Sequence, residues 1–127
     1  MGMVKSLKFF SIYFMGLFYL SIGIKHFTDP DWFVRIVPPI LPYKIELVYI
    51  SGFFEVVFGI LLVIKHTRYY AGIGLIILLI AVYPANIYMA ITPDAFPEIP
   101  IFMLYFRLVL QFIFFYWAYT VTKESYN

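Results

Sequence analysis

Four apolar stretches of membrane-crossing length leave this chain little choice of fold. Residues 7–24, 47–64, 70–90 and 100–119 each approach the ~20 mostly apolar residues that a bilayer span requires. Each is apolar around most of the helix circumference, as lipid-embedded helices are, rather than along one stripe. The reading is therefore all-α: an integral membrane four-helix bundle with a proline-rich outer loop between helices 1 and 2, one domain over residues 1–127. Composition agrees. Hydrophobic residues make up 64% of the chain and charged residues 13%, against roughly 45–50% and 25% in a soluble domain.

The same composition excludes several kinds of chemistry. Without cysteine there are no disulfides, no thiol redox chemistry, no covalent c-type haem and no Cys-based zinc or iron–sulfur site. A formal charge of +2, carried by dispersed basic residues, gives no footprint for nucleic acid. His26 and His66 fall at opposite ends of a span of ~30 Å, so they cannot clasp one haem. No Glu-x-x-His or His-x-x-x-His pair offers a di-iron or zinc site, and no metal is expected.

The first span follows Lys5 and Lys8, as a signal peptide would, but runs into Lys-His-Phe-Thr-Asp-Pro without a small-x-small cleavage site; it is read as retained. With both termini on one side, that side collects Lys5, Lys8, Lys65, Arg68 and Lys123, against Lys25, Arg35 and Lys44 on the other. Both termini are therefore expected in the cytoplasm. The loop over residues 25–46 carries Pro30, Pro38, Pro39 and Pro42, which favours a structured lid or a short interfacial piece over a long helix. Gly16/Gly23 and Gly52/Gly59 share a seven-residue spacing, nearly two turns, so each pair offers one helix face to a close neighbour.

Function is carried by the polar residues inside the apolar runs. Glu55 lies in Ser-Gly-Phe-Phe-Glu-Val-Val-Phe-Gly, on the face that also bears Ser51, Gly52 and Gly59. Asn86, Arg107 and Gln111 interrupt two other runs, and Lys25-His26 closes the first. Ionisable groups at this depth are costly and mark a pathway, a ligand site or an internal ion pair. From the ~1.5 Å rise per residue, Glu55 and Arg107 lie roughly 12 and 10 Å below the outer ends of their helices, and Asn86 about 6 Å. Gln111 is one turn below Arg107. All fall in the outer half of the bundle, and Pro84 is expected to kink helix 3 beside them. Glu55 and Arg107 either neutralise each other as a structural lock or join Lys25, Asn86, Gln111, His26 and Ser51 in a ligand site with a positive excess. Asp29 could equally cancel that excess.

These residues resemble the DoxX-like family of small bacterial membrane proteins. The likeness runs in order through Gly23, His26-Phe27, Pro30, Phe33, Pro38, Leu41-Pro42, Ser51-Gly52, Glu55, Gly59, Arg68, Pro84-Ala85-Asn86, Arg107-Leu108, Gln111 and Trp117-Ala118. Val109 stands where similar sequences often have proline, which leaves helix 4 straighter. The resemblance implies a multi-pass protein of the bacterial inner membrane, associated with redox complexes. Its expected ligand is a quinone or similar hydrophobic molecule, with Glu55 or His26 relaying protons. Whether such a protein is itself an enzyme is left open. The alternative expectation is a non-catalytic scaffold or assembly partner of a membrane complex. A transporter would lack a polar path through the cytoplasmic half.

Overall fold

The computed structural model describes residues 2–124, and over them the chain is all-α. Its helices are α1 (Gly2–Thr28), α2 (Pro30–Ile36), α3 (Lys44–Val63), α4 (Arg68–Ile91) and α5 (Ile101–Glu124), with a one-turn 3-10 helix at Pro93–Ala95. The four long helices are each long and apolar enough to cross a membrane. They overrun the hydropathy windows because backbone hydrogen bonding continues into polar flanks until something stops it. Proline supplies most of the stops: Pro30 opens α2 one residue after α1 ends, Pro93 follows α4, and Pro100 precedes α5. Tyr43, at φ 57°, turns the chain into α3 through a left-handed conformation. Pro84 does not break α4, which runs through it to Ile91. The loop between α1 and α3 is partly helical, with α2 its ordered piece.

α1 packs along α3, α3 on α4 and α4 on α5, and α2 lies across α3 and α4. The α1–α3 seam is the closest, and the four glycines make it. A methyl group added to Gly16 would lie 2.8 Å from the Gly59 carbonyl oxygen, and one on Gly59 2.8 Å from that of Gly16. Gly23 and Gly52 oppose each other in the same reciprocal way. The two sevenfold spacings therefore mesh antiparallel, backbone on backbone, as small residues allow between apolar helices. The remaining side of the ring, α1 against α5, is closed by long side chains: Phe18 meets Phe114 at 5.3 Å between ring centroids, and the Trp117 indole N–H donates to Ser11 Oγ at 2.8 Å.

Two apolar cores fill the ring. Toward the end where α1 begins, Ile12, Met15, Tyr19, Leu62, Leu75 and Ala118 form the larger. Toward the α2 end, Met89, Phe96 and Leu104 pack beneath Trp32 and Ile36. Polar side chains lie between these layers.

Candidate functional site

The interior polar residues form two separate groups. His26, Glu55, Asn86 and Gln111 are 6%, 7%, 8% and 8% exposed, so each needs a partner within the protein.

The first group lies on the glycine seam. The four-residue spacing of one helical turn brings His26 Nδ1 to 2.8 Å from the Ile22 carbonyl oxygen. A carbonyl only accepts, so Nδ1 carries the hydrogen. His26 Nε2 then faces Glu55 Oε1 at 3.4 Å, and one proton belongs to that contact. Whether it rides on the imidazole or on the carboxyl, the pair has no net charge, which is what burial demands. Phe33 of α2 stacks on the His26 ring at 3.8 Å and 18°, covering the pair from the loop side. Tyr19, one seven-residue step before His26 on α1, is buried. Its hydroxyl has no hydrogen-bond partner among the described residues.

The second group joins α4 and α5 as a directional chain. Arg107 Nε donates to Asn86 Oδ1 at 3.0 Å, Asn86 Nδ2 to Gln111 Oε1 at 2.8 Å, and Gln111 Nε2 to the Leu79 carbonyl at 2.9 Å. Two spacings make this possible: Arg107 and Gln111 are one turn apart, and Leu79 and Asn86 are two turns apart on the facing helix. Gln111 also floors a groove of about 330 Å³ between the two helices, walled by Leu79, Ile80, Tyr83, Pro84, Phe112 and Phe115. Volumes from about 300 Å³ upward are those of small-molecule sites.

The structure thus pairs Glu55 with His26, and Arg107 with an amide; no ion pair within 4.0 Å joins Glu55 to Arg107. The neutralised Glu55–Arg107 lock is therefore not what holds the helices. The two residues belong to α3 and α5, which do not pack along each other. Lys25 is exposed at the end of α1, and its backbone carbonyl, not its ammonium, is engaged, by the Asp29 N–H. Ser51 is half-buried beside Gly52 and joins neither group. Asp29 makes no ion pair with a basic residue among the described residues.

Sequence reasoning missed three features. Tyr19 gave a signal only through its spacing from His26. Arg68 is 2% exposed and caps α3 by donating to the Leu62 and Val63 carbonyls, a role hidden in a residue taken for a loop charge. Arg35 clasps α2 to the segment before α5: it donates to the Ala95 carbonyl at 3.1 Å and to Glu98 at 2.7 Å, over the Trp32 and Phe96 rings.

The Arg35 hydrogen bond holds the Glu98 carboxyl below the ordinary carboxylate range. A group lowered on folding stabilises above its unfolded value and loses that contribution as pH falls through the folded one. The pair is half exposed, so the effect is small. Acidification is expected to loosen α2 and red-shift Trp32 emission in a Trp117→Phe background. An identical acid step in Glu98→Gln would remove this carboxylate from the explanation. Among the described residues no cluster of three or more His, Asp or Glu side chains is placed to hold a metal.

Compared with known proteins, the chain matches over residues 15–122 the family described as Domain of unknown function (DUF8561), and it belongs to that family. Comparison with curated proteins and with solved structures finds no match.

Proposed function

We propose that this member of the family is a multi-pass membrane protein that binds a hydrophobic ligand with a polar head in the groove between α4 and α5. The observation that carries this reading is the composition of the groove. Its walls are hydrocarbon and aromatic, and its floor is one buried amide, Gln111, already tied through Asn86 to Arg107. A site of mostly apolar lining with a few convergent polar groups orients a ligand by its head while burying its body.

Several features support a bilayer as the solvent. Large apolar side chains such as Phe10, Leu17, Ile77, Phe112 and Tyr116 stand out from the helices, more than half exposed. The Lys/Arg distribution favours cytoplasmic termini, which puts α2 and its clasp on the outer face, and the bacterial inner membrane is the setting that the DoxX-like resemblance implies. The same resemblance favours a quinone and a role beside a redox complex; the residues that carry it include Glu55, Asn86, Arg107 and Gln111. The proton relay by Glu55 or His26 that the resemblance also implies would act from the α1–α3 seam, since neither residue lines the groove.

The test is extraction of the purified protein in mild detergent, with bound quinone quantified. Wild type is expected to carry quinone, and Ile80→Trp, which fills the groove wall, to carry at least tenfold less. Equal and empty extracts from both sink the reading. The other reading, a scaffold for a larger membrane complex, is favoured by α2, whose clasp presents a rigid face, and it predicts a protein partner crosslinked from Trp32 in native membranes.

A further inference from the structure

Charge accounting inside the helices leaves two arginines without a carboxylate: Arg68, whose guanidinium is taken up by the Leu62 and Val63 carbonyls, and Arg107. Glu55 and His26 neutralise each other, Glu98 is taken by Arg35 at the surface, and no carboxylate lies within 4.0 Å of the Arg107 guanidinium among the described residues. Arginine does not deprotonate in proteins. Arg107 commits Nε to Asn86 and makes no other hydrogen bond in the described structure, although it is half-buried. Its forked terminal nitrogens, the geometry that grips phosphate in bidentate fashion, are left without an acceptor.

The position of that cation relative to the groove gives the missing acceptor a shape. On α5, Arg107, Gln111 and Phe115 follow one another at four-residue steps along one face. On α4, Asn86, Tyr83 and Leu79 run alongside in the same direction. The surface therefore changes from guanidinium to amide to hydrocarbon over about 12 Å, polar toward the α2 end and apolar toward the middle of the helices. That is the polarity of a lipid standing in the outer leaflet, phosphate above and acyl chain below.

Resting on the groove reading above, we infer that, when no quinone occupies it, the groove between α4 and α5 takes an anionic phospholipid of the bilayer, its phosphate on Arg107 and one acyl chain along Ile80, Tyr83, Phe112 and Phe115. The lipid supplies the counter-charge that Arg107 lacks, and Asn86 holds the guanidinium one helical turn from Gln111, which lines the groove. In this arrangement Arg107 sets the choice of head group and the groove walls set occupancy.

The experiment reconstitutes the protein in nanodiscs of equal phosphatidylglycerol and phosphatidylcholine, re-extracts it in mild detergent, and counts each retained lipid by mass spectrometry. Wild type is expected to retain phosphatidylglycerol over phosphatidylcholine by about fivefold, the weight of one basic residue. Arg107→Gln brings that ratio to about one, and Arg107→Lys keeps most of it. Asn86→Asp, which places a carboxylate against the guanidinium without removing it, also abolishes the preference and stands in should Arg107→Gln not fold. A preference that survives in Arg107→Gln or Asn86→Asp overturns the inference, as does wild-type retention of both lipids in equal amounts. Ile80→Trp separates the two readings: it lowers retention of every ligand if the groove is the site. Quinone bound in an Ile80-dependent way with no phosphatidylglycerol preference leaves the groove standing and removes its anionic occupant.

Discussion

Gly59→Ala is expected to destabilise the protein by about 1–3 kcal/mol, the range for forcing an added methyl into a close-packed interface. The new carbon would lie 2.8 Å from the Gly16 carbonyl oxygen and 2.9 Å from the Leu20 backbone nitrogen. Neither atom belongs to a side chain that can swing away, so α1 and α3 must separate. Gly16→Ala meets the Gly59 backbone from the other side and is expected to cost a similar amount, and the double variant less than the sum, because one separation accommodates both. At the other end of the seam, a methyl on Gly52 would come within 2.5 Å of His26 Cβ. Gly52→Ala therefore also displaces the imidazole from Glu55. Gly2→Ala, where nothing lies within 4 Å, is the control. Unfolding in a mixed-micelle SDS titration measures all five variants; a Gly59→Ala midpoint equal to that of Gly2→Ala would contradict the meshed seam.

The second large effect is expected at Asn86. Asn86→Leu keeps the volume roughly and removes both bonds of the central link in the α4–α5 chain. Gln111 loses the donor to its oxygen, at about 1–3 kcal/mol for a buried group left unsatisfied. Arg107 loses its one bonded acceptor while remaining charged, a change of the class that costs about 3–5 kcal/mol when a buried charge is stranded. The guanidinium is half-buried and partly relieved by solvent or lipid, so a total of about 3 kcal/mol is expected. Gln111→Leu removes the acceptor of Asn86 and the side-chain donor to the Leu79 carbonyl but strands no charge, and is expected to cost less. Thermal unfolding of both variants in one detergent checks the order, and Gln111→Leu proving the more damaging would show that the chain is not anchored at Asn86.

The order of these costs follows from a feature of the structure that hydropathy does not carry. Along a single apolar run, composition and rise per residue locate Glu55, Asn86, Arg107 and Gln111 in the same half of their helices; Asn86, Arg107 and Gln111 lie in that half, while Glu55 lies just past the middle of α3, which begins at Lys44, ahead of its apolar window. The matched spacing of Gly16/Gly23 and Gly52/Gly59 announced close-approaching faces, and these faces do meet. Depth is a one-dimensional property, and a sequence read span by span states it. Partnership depends on the order of helices around the ring and on the rotation of each about its axis. Glu55 and Arg107 look like a pair from their depths; they are not one, because α3 is drawn onto α1 by the glycines while α5 packs on α4. The same limit hid Tyr19, whose burial depends on which face α1 turns inward, and Arg68, whose partners are backbone carbonyls and carry no sequence signal.

Sequence alone determined that this chain is four long apolar helices separated by proline-bearing segments, with polar residues inside the apolar runs. Those are consequences of hydrocarbon content, of missing backbone donors and of the cost of stranding polar groups, each of which acts locally. Only the tertiary structure decided which polar groups share protons and that Arg107 has an amide, not a carboxylate, for its partner. That choice was made by shape: two glycine faces admit a backbone contact that no other pair of helices can match, and every electrostatic pairing was settled by what remained within reach.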